Sequence, residues 1–196
     1  MAQDLNCLCS NVPIREGKGI EKVVNNITTN LKTCLGSLLD NYCSLGLAEV
    51  REDIREDTTY TLPQYYTSNR EWLNLEPTTI VDALSFFYKE GSKTNFSEDF
   101  SLYEQDVNLI FWINSEQIFN TTDYISTEDF ISSTLNALSN SRFDTIVSIN
   151  SVIDGYNNTW GDFDIVNDDT MKFNFKNYVT FKINLTLNVK ETICKC

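Results

Sequence analysis

From Gly19 onward, apolar residues recur at spacings of three and four: Ile20, Val23, Val24, Ile27, Leu31, Cys34, Leu35, Leu38 and Tyr42. This stripe predicts a helix over 18–42, about six turns long. Its opposite face carries Glu21, Lys22, Asn25, Asn26, Thr29, Lys32 and Asp40, and Gly46 offers a stop shortly beyond. A helix with one apolar stripe must bury it, most simply against a sheet. Residues 1–17 read as an irregular arm broken by Pro13 and Gly17.

Beyond residue 80 the period changes to two. Residues 83–89 predict a strand that turns at Glu90-Gly91-Ser92. Residues 106–114 predict a second. There Val107, Leu109, Phe111 and Ile113 share one face, while Ile110 and Trp112 make the other apolar too. A strand apolar on both faces belongs in the middle of a sheet. A second helix is expected at about 126–140, capped by Ser126 or Thr127. Glu128 and Asp129 complement its dipole, and Phe130, Ile131, Leu135 and Leu138 form its buried stripe. Residues 143–153 predict another strand. Residues 178–189 alternate strictly, with Val179, Phe181, Ile183, Leu185, Leu187 and Val189 against Tyr178, Thr180, Lys182, Asn184, Thr186 and Asn188. One face of that strand is core; the other is wet or meets a partner.

Two stretches between the first helix and these strands are ambiguous. In 47–57 only Leu47, Val50 and Ile54 are apolar, so an exposed helical turn and a charged strand both fit. Its charges form a solvated face on the plain reading and an acidic lining of an opening on the sharper one. Residues 58–78 contain Pro63, Pro77, Tyr60, Tyr65, Tyr66 and Trp72. They predict a long loop or hairpin excursion whose aromatics form an interaction surface or pack beneath it. The elements together predict a single α+β domain over 1–196. An antiparallel or mixed sheet packs against two main helices.

Composition narrows the function. The chain is 196 residues long, with only 7 Gly and 3 Pro, so no flexible linker divides it. The net charge of −13 opposes phosphate binding and suits solubility, a basic partner, or a wall that DNA slides past. No run approaches the roughly 18 apolar residues of a membrane span. Residues 1–10 lack a basic region followed by an apolar run, so a cytoplasmic start is expected. The Asn-x-Ser/Thr triplets at Asn26, Asn95, Asn120, Asn157 and Asn184 then read as by-products of composition. The same start argues against disulfides, and Cys34 and Cys43 are expected to be small core or boundary residues. C-x-C pairs at Cys7/Cys9 and Cys194/Cys196 could hold zinc if the termini meet, but reduced or incidentally oxidised thiols are the favoured reading.

With no histidine, Ser-His-Asp and Cys-His catalysis are excluded in their usual forms. Neither phosphate-binding glycine loop occurs. The acids of 154–169 lack the spacing of a calcium loop. The expectation is therefore a protein that is not an enzyme and needs no cofactor.

The segments Ile20–Tyr42, Asp106–Asn114 followed by Thr127–Ser139, and Tyr178–Val189 span most of the chain. Their order resembles the tail-terminator and tail-completion (neck ring) proteins of tailed bacteriophages. The Asn/Thr/Ser-rich, Gly/Ala-poor composition resembles an AT-rich phage gene, as in the crAss-like group. The excursion at 58–78 and the terminal C-x-C pairs depart from that family pattern. The resemblance implies a virion protein made in the host bacterial cytoplasm. It would form a homo-oligomeric ring of six or twelve subunits between portal or head and tail. Its partners would be portal or adaptor and tail proteins, with DNA only passing through. Glu52, Asp53, Glu56, Asp57, Asp162, Asp164, Asp168 and Asp169 are then the candidate lumen-lining acids. The competing expectation is a non-catalytic host-takeover or receptor-binding module using Tyr60, Tyr65, Tyr66 and Trp72.

Overall fold

The computed structural model describes residues 18–36, 42–55, 58–66, 72–75, 83–98, 101–114, 127–140, 145–154 and 178–191. Among these residues two helices, α1 (Ile20–Leu35) and α2 (Thr127–Asn140), accompany eight strands. These are β1 (Tyr42–Leu47), β2 (Glu49–Arg55), β3 (Thr58–Tyr66), β4 (Trp72–Asn74), β5 (Ala83–Lys89), β6 (Leu102–Asn114), β7 (Ile146–Asp154) and β8 (Tyr178–Lys190). A five-stranded sheet has the order β1-β5-β6-β8-β7, and β2-β3-β4 form a separate three-stranded sheet. The fold is α+β. The main sheet is mixed, because β1 runs parallel to β5 while its other pairs are antiparallel.

Strand β6 is the middle strand, as its two apolar faces require. Its ladder with β8 pairs every position from Leu102↔Lys190 to Asn114↔Tyr178. On the helix side, Val107, Leu109, Phe111 and Ile113 of β6 join Phe181, Ile183, Leu185, Leu187 and Val189 of β8. The buried stripe of α1 and Phe130, Ala137 and Leu138 of α2 close this core. Phe111 stacks on Phe181 with centroids 4.6 Å apart and takes Phe130 edge-on at 5.7 Å. A second buried set, Cys43, Leu45, Leu84, Phe86, Ile110 and Trp112, lies on the other face at the β1-β5-β6 end. There Phe86 meets Trp112 edge-on at 4.9 Å.

Toward β7 that second face is polar and laced by side-chain hydrogen bonds, although the buried Asn108 Oδ1 accepts none. Asn150 Nδ2 donates to Thr186 Oγ1 at 2.9 Å, and Thr186 Oγ1 donates to Asp106 Oδ1 at 2.7 Å. Asn108 Nδ2 donates to Glu90 Oε2 at 2.8 Å. The alternation of β8 thus encodes a core face and a hydrogen-bonded polar face. β7 carries two register shifts, between Ile146 and Ser148 and between Ile149 and Ser151. Bulges of this kind blunt the edge of a sheet against unwanted pairing.

Several expectations need correction. α1 ends at Leu35, not at residue 42, because Gly36 follows with its low helix propensity; its N–H donates to Lys32 O at 3.0 Å. Tyr42 opens β1 instead, and Gly46 lies inside β1 rather than stopping a helix. Cys34 is exposed, on the last turn of α1. Cys43 is fully buried in β1, as a small core residue would be, but it is disulfide-bonded, where the sequence argued against disulfides. Cys34 is not disulfide-bonded, so the partner of Cys43 lies outside the described residues. Residues 49–55 resolve as a strand. Of the two readings left open for 58–78, a long loop or a hairpin excursion, β3 and β4 form the hairpin.

Two clasps fasten the periphery. Between β1 and β5, Tyr42 OH and Ser85 Oγ lie 2.7 Å apart, and Ser85 Oγ donates to Ser44 Oγ at 2.8 Å. Burial pushes the Tyr42 phenol above its ordinary pKa, while its serine partners pull the other way. Near the start of α1, Lys93 Nζ donates to Glu191 Oε1 at 2.7 Å and sits 4.2 Å over the Tyr103 ring. Tyr103 OH donates to the same oxygen at 3.1 Å. Gly19, at φ 57 in the left-handed region, lets the helix begin against this carboxylate; a Cβ there would meet Glu191 Cγ at 3.4 Å.

Phe111→Ala should lower unfolding stability by about 3–5 kcal/mol in chemical denaturation, as expected for a buried aromatic. The hydrogen bonds from Lys93 and then Tyr103 hold the Glu191 carboxyl below its usual range. The contribution of a carboxyl shifted this way is complete above the ordinary carboxylate pKa and fades as pH falls through the lowered folded value. The hydrogen bond to Glu191 raises Lys93, so its contribution is lost only as pH climbs through the raised lysine value. Both side chains are more than two-fifths exposed, so the clasp is worth no more than about 1 kcal/mol. Melting curves of wild type and Glu191→Gln should therefore differ slightly at neutral pH and converge in acid.

Candidate aromatic pocket at the root of the small sheet

The small sheet leaves the main one at Ala48, whose N–H donates to Phe87 O of β5 at 2.7 Å. β2 and β3 pair from Glu49↔Gln64 to Arg55↔Thr58, and β3 continues past β2 to pair Gln64, Tyr65 and Tyr66 with Asn74, Leu73 and Trp72. A proline in a middle strand is unusual, since it lacks a ladder donor. Pro63 O accepts from Leu75 N at 2.9 Å, so the polar side of Pro63 faces β4. Opposite β2, Pro63 needs no donor, and the β2–β3 ladder is intact. Toward β4 the reciprocal bond cannot form, and β4 ends at Asn74.

Paired positions share a face of this sheet, so Tyr66 and Trp72 lie together. Their centroids are 4.9 Å apart at an interplanar angle of 52°, and the two rings form a corner. The Arg51 guanidinium carbon lies 4.2 Å from the centroid of the Trp72 ring, and Arg51 Nη1 lies 3.8 Å from Glu49 Oε2. Trp72 already receives a cation from its own sheet.

A cavity of about 250 Å³ opens beside this corner, lined by Glu21, Asn25, Leu47, Glu49, Tyr65, Tyr66 and Trp72. Glu21 and Asn25 come from the first two turns of α1, Leu47 from the end of β1, and the rest from the small sheet. α1 reaches this close because residue 46 is glycine: a Cβ there would lie 2.8 Å from Asn25 Oδ1 and 3.6 Å from the Tyr65 ring. Tyr65 is the buried wall, at 6% exposure, while Tyr66 and Trp72 are half-buried.

Of the aromatic candidates, Tyr65, Tyr66 and Trp72 are brought together, and Tyr60 occupies a β3 position opposite Asp53. Among the candidate acids, Glu52 is exposed on β2. Asp53 is the next position along β2, paired with Tyr60 of β3. Glu56, Asp57, Asp162, Asp164, Asp168 and Asp169 lie outside the described residues, as do Cys7, Cys9, Cys194 and Cys196. Among the described residues no group of three or more His, Cys, Asp or Glu side chains could hold a metal. No helix among them is long and apolar enough to cross a membrane. Sequence reasoning missed Glu21, Asn25, Leu47 and Glu49. The one local signal was a glycine inside an apolar strand, which marks close approach.

No family model matches the chain, and no curated protein matches it.

Gly46→Ala should cost about 1–3 kcal/mol by overpacking. Adding Asn25→Ala should recover part of that loss, because Asn25 Oδ1 is the nearest clash. Thermal melts of the two variants check this coupling.

Proposed function

We propose that the chain is a structural subunit that assembles with its own copies into a ring in the neck or tail of a tailed phage. That ring would join portal or head to tail and leave a channel for DNA. The observation that carries this reading is the outer strand of the small sheet. β2 is seven residues long, pairs with β3 without a register shift, and carries exposed apolar Val50 and Ile54, the latter 72% exposed. Val50, Glu52 and Ile54 occupy one face, so an apolar contact there would be flanked by charge. Such contacts close into a ring when they are heterologous and the rotation permits. The net charge of −13 suits a conduit that repels the phosphate backbone. The candidate acids are its proposed lining. A virion is also among the settings in which a disulfide such as that of Cys43 persists.

A second reading has its own support in the aromatic pocket. A binding module that engages one discrete partner would use Tyr65, Tyr66 and Trp72 and would need no ring.

Native mass spectrometry over a range of concentrations separates the two. The ring reading expects a closed species of six or twelve subunits. Ile54→Lys should shift it toward monomer with melting temperature nearly unchanged, since exposed substitutions alter stability by about 0.5 kcal/mol or less. A strict monomer throughout, unaffected by Ile54→Lys, overturns self-assembly and leaves the binding module.

A further inference from the structure

The outer strand of the small sheet carries its charges in an order that complements its own reversed copy. β2 reads Glu49-Val50-Arg51-Glu52-Asp53-Ile54-Arg55. Set antiparallel to a second β2 and centred on Glu52, it places Glu49 opposite Arg55, Val50 opposite Ile54 and Arg51 opposite Asp53. The two-fold axis repeats each of these pairs. Opposite charges across a ladder stabilise it, and like charges directly opposite weaken it. Only Glu52 meets its like, on the axis. A shift of two residues sets either Arg51 or Asp53 against its own copy, and a shift of one sets Val50 and Ile54 against charges. Larger shifts shorten the ladder. A parallel pairing in register faces every charge with its like. The sequence of β2 therefore favours one register of self-pairing.

The backbone presents the groups this pairing needs. Pro63 has no N–H, its O accepts from Leu75 N on the β4 side, and it stands opposite Val50 in an unbroken β2–β3 ladder. Val50 and Pro63 are thus a non-hydrogen-bonded pair, whose polar groups point away from each other. By the alternation of the ladder, Val50, Glu52 and Ile54 turn their N–H and C=O groups outward. Among the described residues no strand pairs with that side. In the register centred on Glu52 these three residues meet only one another, so every outward group finds a partner. Position 51 opposite position 53 is then a close, non-hydrogen-bonded site.

The same register covers the apolar residues left bare. Val50 is 41% exposed, and Ile54 is the most exposed of the large apolar residues described. Charge on an edge strand ordinarily keeps copies apart, and a run of one sign does so in every register. The alternating run of β2 does not. Arg51 retains capacity for a second carboxylate. Its Nη1 lies 3.8 Å from Glu49 Oε2, beyond hydrogen-bond reach, and a guanidinium stacked on a ring, as on Trp72, still bonds at its edge.

We propose that β2 pairs edge to edge with β2 of a second copy of this chain, antiparallel about a two-fold axis at Glu52. The ring contact proposed above uses the face of β2 and this one uses its edge, so neither rests on the other.

The test is native mass spectrometry of the full chain over a range of concentrations. Wild type should populate a dimer. Arg51→Glu and Asp53→Lys each set two like-charge pairs across the axis, and each alone should weaken dimerisation by about tenfold. An equal mixture of the two variants, one of them isotope-labelled, should restore it as the mixed dimer, in which positions 51 and 53 are again opposite in charge at both places. Misfolded chains would not rescue each other in this way. Glu52→Gln removes the one like pair and should tighten the dimer by about twofold. A wild type that stays monomeric, variants that dimerise as wild type does, or a mixture without mixed dimer overturns the proposal. A ring of six or twelve that both single variants leave intact also overturns it while the ring reading stands. Dimers that respond as expected, with no larger species, uphold it and remove the ring.

Discussion

The main sheet depends on one constraint: β8, the last strand, lies between β6 and β7. Among the described strands it is the one to which β7 pairs, and it supplies one side of the longest ladder. Phe181 of β8 also completes the trio with Phe111 and Phe130 that joins sheet to helix layer. Helix α2 and strand β7 lie between β6 and β8 in sequence, so the central pairing is non-local. Such pairing must overcome loop-closure entropy before its contacts form. The strict alternation of β8 meets this demand. A slip by one residue would turn Phe181, Ile183, Leu185, Leu187 and Val189 away from the core together.

The same alternation explains what was legible in the sequence. β6, β8 and the start of α2 announce themselves through local periodicity and capping residues, and the structure places them within a few residues of expectation. The end of α1 was misread because Leu38 and Tyr42 continue the helical spacing by coincidence beyond Gly36. β2 was ambiguous because its side chains are mostly charged and exposed. What makes it a strand is the backbone of β3, which no pattern within 49–55 can reveal. Pro63 left 58–78 open between a loop and a hairpin, and the hairpin forms because the donor that proline lacks is one the pairing with β2 does not use. The fate of Cys43 was invisible, since a lone strand cysteine carries no sign of what it meets in space.

The site was legible in halves. Tyr65, Tyr66 and Trp72 stood out as a cluster because they are close in sequence. Glu21 and Asn25 looked like ordinary polar positions of a helix, and they reach the cluster only because β1 is bare at Gly46. The parallel pairing of β1 with β5 adds a further reason. Parallel neighbours need a crossover connection, and the small sheet lies within the one that joins these two. The aromatic pocket therefore sits at the root of a connection, where binding groups can vary without disturbing the ladder that holds the molecule together.

Pro63 has a consequence for growth. A small sheet with two equal edges could add strands on both sides without limit, which is how ordered fibrils propagate. Here β4 is only three residues long and is halted where Pro63 withholds its donor, whereas β2 presents seven residues. The two sides of this small sheet are therefore unequal: a proline in its middle strand cuts short the pairing toward β4 and leaves the pairing toward β2 whole.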